Sequence, residues 1–131
     1  MLTQHKIEIR VRYSETDAMG FLHHANYFNF FEMGRTELFR AQSGNYRDME
    51  ERGFFLVVVE LRCKYRAPAQ YDDLLTLRTT LARVSPAKLE HDYELYRGDE
   101  RLTSAHSVLA CVDRQGQLQR LSDVLPDFFA E

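Results

Sequence analysis

No apolar run in this chain reaches the roughly 20 residues that a membrane-spanning helix requires. The opening segment, MLTQHKIEIRVR, lacks the continuous apolar stretch of a secretory signal. Cysteine is scarce: Cys63 and Cys111 are the two present, too few for a disulfide scaffold. They fit a reduced, cytoplasmic protein in which both act as small apolar strand residues, although two thiols leave one bridge open. Charge of one sign is lacking too, since 17 basic residues face 20 acidic ones for a net charge of −3. No global field therefore draws the chain to nucleic acid or an anionic membrane, and an anionic ligand must be held by local basic side chains. There is no G-x-S-x-G elbow, no H-E-x-x-H, no paired C-x-x-C and no G-x-x-x-x-G-K-[ST], which removes the usual warrant for serine hydrolases, zinc hydrolases and P-loop enzymes. His23 and His24 adjoin, but no carboxylate or cysteine stands at helical spacing to complete a metal site, and none is expected.

What is present fits one domain. The chain has 131 residues, 44% hydrophobic and 12% aromatic, enough for a single sizeable core and no second one. Ile7, Ile9, Val11 and Tyr13 alternate with charged residues in the period of a half-buried strand that stops at Ser14. From Ala25 to about Ala41 the period becomes helical, with Tyr27, Phe30, Phe31, Gly34 and Leu38 in one stripe. Gly34 in that stripe implies close approach to another backbone, because glycine otherwise costs a helix about 1 kcal/mol against alanine. Phe28, Glu32, Arg35 and Phe39 form a second, mixed face.

A short helix is expected near Tyr46 to Arg52, closed by Gly53, and four strands after it. In the first, Phe55, Val57, Val59, Leu61, Cys63 and Tyr65 alternate toward the core while Phe54, Leu56 and Val58 face outward. The others run from about Leu74 to Val84, Lys88 to Tyr96 and Arg101 to Asp113, with Gly98-Asp99 as a hairpin turn. Ser122 to Glu131 suits a short helix with Pro126 in its first turn. The order predicts an α+β domain, a five-stranded antiparallel sheet wrapped around one long helix. The outward apolar set predicts burial against another subunit.

Chemistry concentrates in the loop YSETDAMGFLHHANY, from Tyr13 to Tyr27. Met19, Phe21 and Leu22 around Asp17 could desolvate its carboxylate and raise its basicity or nucleophilicity. The loop feeds the long helix, whose unpaired first-turn amides and dipole suit a developing oxyanion. Asp17 in a turn can equally hydrogen-bond its own backbone, and His24 can simply cap the helix.

That run, continued by F-N-F-F-E-M-G-R-T-E, closely resembles the signature of the 4-hydroxybenzoyl-CoA thioesterase group of hotdog-fold enzymes; Y-R-A-P-A-Q-Y-D-D-L-L-T-L and S-P-A-K-L follow in the expected order. The resemblance implies a hotdog domain that pairs sheets edge to edge as a dimer, commonly a dimer of dimers, with active sites between subunits. It implies that Asp17 is the catalytic carboxylate, as nucleophile or general base, and that amides near His23 and His24 contact the oxyanion. Many relatives carry tyrosine or phenylalanine in place of His23. His24 is expected to orient the loop, with a side-chain role in catalysis as the alternative. Arg66, Ser85 and Lys88 are candidates for the CoA phosphates, and Phe21, Leu22, Phe54 and Phe55 for the acyl pocket. Glu32 and Arg35 match an F-E-x-x-R pattern, yet an i, i+3 charge pair is also ordinary on a solvated helix. No cofactor is implied, since coenzyme A is part of the substrate.

Two rivals remain. Hotdog hydratases use an aspartate and a histidine four residues apart in a proline-containing motif, whereas Ala18 to His23 separate Asp17 from His24 and include no proline. A non-catalytic acyl-thioester binder would have no need of Asp17.

Overall fold

The long helix forms where the apolar stripe is unbroken. In a computed structural model, which describes residues 2–129, α1 spans His24–Ala41, and Tyr27, Phe30, Phe31, Gly34 and Leu38 of its stripe are all buried. β1 (Gln4–Arg10), a 3-10 turn (Tyr13–Glu15) and α1 are followed by α2 (Tyr46–Glu51), β2 (Phe54–Tyr65), β3 (Leu74–Val84), β4 (Leu89–Arg97) and β5 (Glu100–Asp113). A two-residue β6 (Leu118–Gln119), α3 (Leu121–Val124) and a 3-10 turn (Pro126–Phe128) complete the order. The antiparallel sheet runs β1-β3-β4-β5-β2, with β6 added beside the end of β5. No helix among the described residues is long and apolar enough to cross a membrane.

One face of the sheet curls around α1 and divides the core in two. Tyr27, Phe30 and Phe31 pack with Leu75, Leu77, Tyr93, Leu95 and Leu102 around the first half of the helix. Leu38 and Phe39 pack with Met49, Leu81, Leu89, Leu109 and the tail residues Leu121 and Val124 around the second. Each fully buried aromatic or leucine stabilises by about 1.5–3 kcal/mol, so α1 is held by packing far more than by helix propensity.

The close approach at Gly34 is to side chains rather than to backbone. A Cβ there would collide with Thr79 Oγ1 and lie 2.7 Å from Leu77 Cδ2. Glycine at this position lets α1 settle onto β3.

Three boundaries differ from the sequence pattern. β1 ends at Arg10, because the Arg12 N–H donates to Glu15 Oε1 at 2.7 Å and the chain turns there, leaving Tyr13 76% exposed. The tail splits into α3 and the Pro126–Phe128 turn, with Pro126 starting the second piece; residues 130 and 131 of the expected helix lie outside the described residues.

The third difference is in β2. Its register to β5 jumps between Val58 and Glu60, leaving Val59 as a bulge. One extra residue reverses the parity of a period-two pattern. Phe54 and Leu56 accordingly pack inward against the second core cluster, and Cys63 packs inward beyond the bulge. The exposed apolar set is therefore not Phe54, Leu56 and Val58 but Val57, Val58 and Val59, at 40, 49 and 60% exposure on an edge strand.

Candidate active site

The loop from Tyr13 to His23 is pinned from within by Glu15. Its carboxylate, in a residue only 8% exposed, accepts from the Arg12 backbone and guanidinium at 2.7 and 3.1 Å. Its main-chain carbonyl accepts from the His23 N–H at 2.9 Å and from Asn26 Nδ2 at 2.8 Å. Four bonds to one residue thus tie the loop to Arg12 at its entry and to the start of α1 at its exit.

Between these anchors the chain makes a small hairpin whose turn carries Asp17. Asp17 Oδ1 accepts from the Met19 and Phe21 amides at 2.9 and 3.2 Å. The Gly20 N–H donates to the Asp17 carbonyl, and Gly20 takes the positive φ of 78° that the reversal needs. Oδ2 has no hydrogen-bond partner among the described residues. The turn therefore consumes one carboxylate oxygen and presents the other.

The expected apolar surroundings of Asp17 are not supplied by this chain. Asp17 is exposed, Met19 is 73% exposed, and Leu22 is drawn into the core at 4% exposure because its N–H is held by Ala69 O at 2.8 Å. Phe21 is half-buried and bridges to Gln70. Anything that dries this carboxylate must come from outside the protomer.

At the helix start, the two backbone donors expected from sequence reduce to one. The His23 amide is spent on Glu15 O. Ala25 donates to His23 Nδ1 at 3.1 Å and Asn26 to the His23 carbonyl at 2.9 Å. From His23 to Asn26, the amide of His24 alone has no acceptor among the described residues. Partial positive charge at a helix N-terminus falls on such an amide. The ring of His24 stacks on that of His23 with centroids 4.2 Å apart, and its carbonyl accepts from the Tyr65 hydroxyl at 3.3 Å.

The candidate phosphate contacts do not meet within one protomer. Arg66 follows β2 where Tyr65 pairs with Thr103, whereas Ser85 and Lys88 flank the β3–β4 turn, where Leu89 pairs with Leu109. Six residues along β5 separate those rungs, about 20 Å of strand. Ser85 Oγ is also occupied by the Lys88 N–H at 3.1 Å, as part of the turn. Phe54 and Phe55 lie at the Ser85 end, and Phe21 and Leu22 at the Asp17 end.

Arg35 departs from the picture of a solvated helix pair. It is 8% exposed, 3.7 Å from an open Glu32 carboxylate, and donates at 3.4 Å to the Tyr93 hydroxyl, which shares a 2.6 Å hydrogen bond with Ser107. His91 lies in the same buried layer at 3% exposure; burial, and then the Arg35 charge, push its pKa down to about 3. Sequence reading missed this layer, and it missed Glu15, Asn26 and Tyr65 as loop anchors. Glu15 did carry a local signal, the three-residue spacing from Arg12; Tyr65 reaches His24 across 41 residues and carried none.

Comparison with known proteins gives consistent results. The family model described as the thioesterase superfamily matches residues 19–104, beginning two residues after Asp17. The acyl-CoA thioesterase YbgC of Haemophilus influenzae is 37% identical over 80% of this chain and 78% of its own length. The acyl-CoA thioester hydrolase YbgC of Escherichia coli O6:H1 is 31% identical over 80% of this chain and 79% of its own length. Among solved structures, a DHNA-CoA thioesterase from Staphylococcus aureus superposes with a TM-score of 0.93 at 28% identity, covering 98% of this chain and 87% of that one.

Proposed function

This chain belongs to the thioesterase superfamily, and from that premise we propose that it hydrolyses a small or medium acyl-CoA, aliphatic or aromatic, to the free acid and CoA. The observation that carries this reading is one loop that offers both a carboxylate oxygen, Asp17 Oδ2, and a helix-terminal amide, His24 N–H, neither of which has a partner among the described residues. Asp17 Oδ2 either attacks the thioester carbonyl to give a mixed anhydride or takes a proton from the attacking water. In both routes negative charge grows on the carbonyl oxygen, where the His24 amide and the α1 dipole stabilise it. The C–S bond breaks and CoA leaves as thiolate and takes up a proton; in the general-base route the attacking water has already supplied the oxygen of the acid, and in the covalent route a water then cleaves the mixed anhydride, releasing the acid and restoring the Asp17 carboxylate.

The protein works in the cytoplasm as a homo-oligomer, a dimer or dimer of dimers, without a resident cofactor. Valines 57 to 59 line an unpaired edge, the kind of strand that natural proteins cover. Antiparallel pairing of two β2 edges about a two-fold axis sets one protomer's Asp17 end beside the other's Ser85–Lys88 end. That arrangement unites Arg66 with the second copy's Lys88 as phosphate contacts and encloses the exposed carboxylate. Sedimentation at micromolar concentration is expected to return a dimer or larger species; a stable monomer would refute this assembly.

The activity itself is tested by thiol release from acyl-CoAs of graded length and from benzoyl types. Turnover on at least one of them is expected. A panel with no CoA released above the uncatalysed rate rules the proposal out.

A further inference from the structure

Helix N-caps are normally oxygen acceptors from serine, threonine, aspartate or asparagine. Here the cap is His23, whose extended backbone (φ −63°, ψ 136°) turns the ring back so that Nδ1 accepts the Ala25 N–H at 3.1 Å. A ring nitrogen can accept only while it carries no proton, so the cap requires neutral His23 with its hydrogen on Nε2. Protonation would aim an N–H at an N–H and set a positive charge on the positive end of α1, two unfavourable terms with the same sign.

The unpaired His24 amide lies directly between His23 and Ala25, and its direction depends on both. The other groups around the ring do not take over the cap. His24 is stacked on it, Glu15 is held by Arg12 and contacts His23 through its carbonyl, Tyr65 reaches from β2 to the His24 carbonyl, and Asp17 spends Oδ1 on the Met19 and Phe21 amides and makes no hydrogen bond to Ala25.

We infer that His23 is a positioning residue for the thioester reaction: its neutral ring caps α1 and thereby aims the His24 amide, so that protonating this one side chain lowers turnover on the acid side. The inference rests on the proposed hydrolase reading, but the cap can be observed without it. A carbonyl oxygen at this position would cap at every pH; imidazole makes the cap conditional.

The test is the pH profile of kcat for the full chain, its H23N and H23F variants, and the backbone amide shift of Ala25 in each by NMR. The parent is expected to lose kcat progressively on acidification, as the ring nitrogen that accepts from Ala25 takes up a proton. Asparagine caps through Oδ1 and does not titrate, so H23N keeps its activity at least about one pH unit further into acid. Phenylalanine cannot cap, and H23F is expected to lose about three- to tenfold in kcat at all pH values, with KM little changed. The Ala25 amide shift should move with pH in the parent, as the cap is lost on protonation, and stay flat in H23N. An H23N profile with the parental acid limb, or an Ala25 amide in the parent that ignores pH, overturns the inference. Should no acyl-CoA be hydrolysed, the functional reading fails while the Ala25 shift still decides whether the cap titrates.

Discussion

Asp17→Asn is expected to lower kcat for acyl-CoA hydrolysis by roughly two to four orders of magnitude, with the melting temperature and substrate affinity little changed. The geometry makes asparagine the informative replacement. Its Oδ1 can keep the bonds from the Met19 and Phe21 amides, so the turn survives. What is lost is the other oxygen, which has no role in the turn and which the proposed chemistry requires. A purely structural Asp17 predicts the reverse, with turnover within about tenfold, since a tenfold change is only about 1.4 kcal/mol of barrier. Nearly parental hydrolysis by Asp17→Asn would remove the carboxylate from the mechanism and direct attention to His24 and Glu32.

The second large effect expected is on stability in acid, and it comes from His91. The side chain is 3% exposed with Nδ1 unpartnered, and it stays neutral in the fold down to about pH 3, whereas in the unfolded chain it takes up a proton near pH 6.5. Its folded pKa is depressed, so below about pH 6.5 the unfolded state binds one more proton and stability falls by about 1.4 kcal/mol per pH unit. Between pH 6.5 and 4.5 this amounts to about 2 kcal/mol, a sizeable share of a typical domain's 5–15 kcal/mol. His106 works in the opposite direction. Its hydrogen bond to Asp92, followed by that to Glu90, raises its pKa, so its contribution is fully present below about pH 6.5 and is lost as pH rises through the higher folded value.

Replacing His91 by leucine should flatten the acid side of the stability curve, measured as the urea midpoint against pH from about 6.5 to 4.5. Leucine removes the titratable imidazole and its unpartnered Nδ1 from the buried layer beside Arg35 and Tyr93. An H91L protein that loses stability over that window as steeply as the parent would place the acid sensitivity elsewhere.

Local order along the chain was legible wherever a single period persisted. The α1 stripe, β3, and the Gly98 turn between β4 and β5 follow from spacing and turn chemistry alone, because each depends on residues a few positions apart. β2 was misread for the same reason in reverse. Its alternation is continuous in sequence, and nothing local marks Val59 as the residue that β5 skips; a bulge exists only once there is a partner strand.

The same division runs through the candidate site. The sequence by itself determined that an acidic residue and a helix start share one loop, and that no other catalytic motif competes. Which atoms are free was decided by tertiary structure. The Glu15 carbonyl takes the His23 amide, the turn takes one oxygen of Asp17, and Ala69 pulls Leu22 inward, leaving the carboxylate in water. Arg66 and Lys88, neighbours in role by sequence, end up at opposite ends of the sheet, and Arg35 ends up buried rather than solvated. Residue type and spacing set what a side chain can do. Hydrogen bonds and burial, which join residues tens of positions apart, set which of those capacities remains unspent.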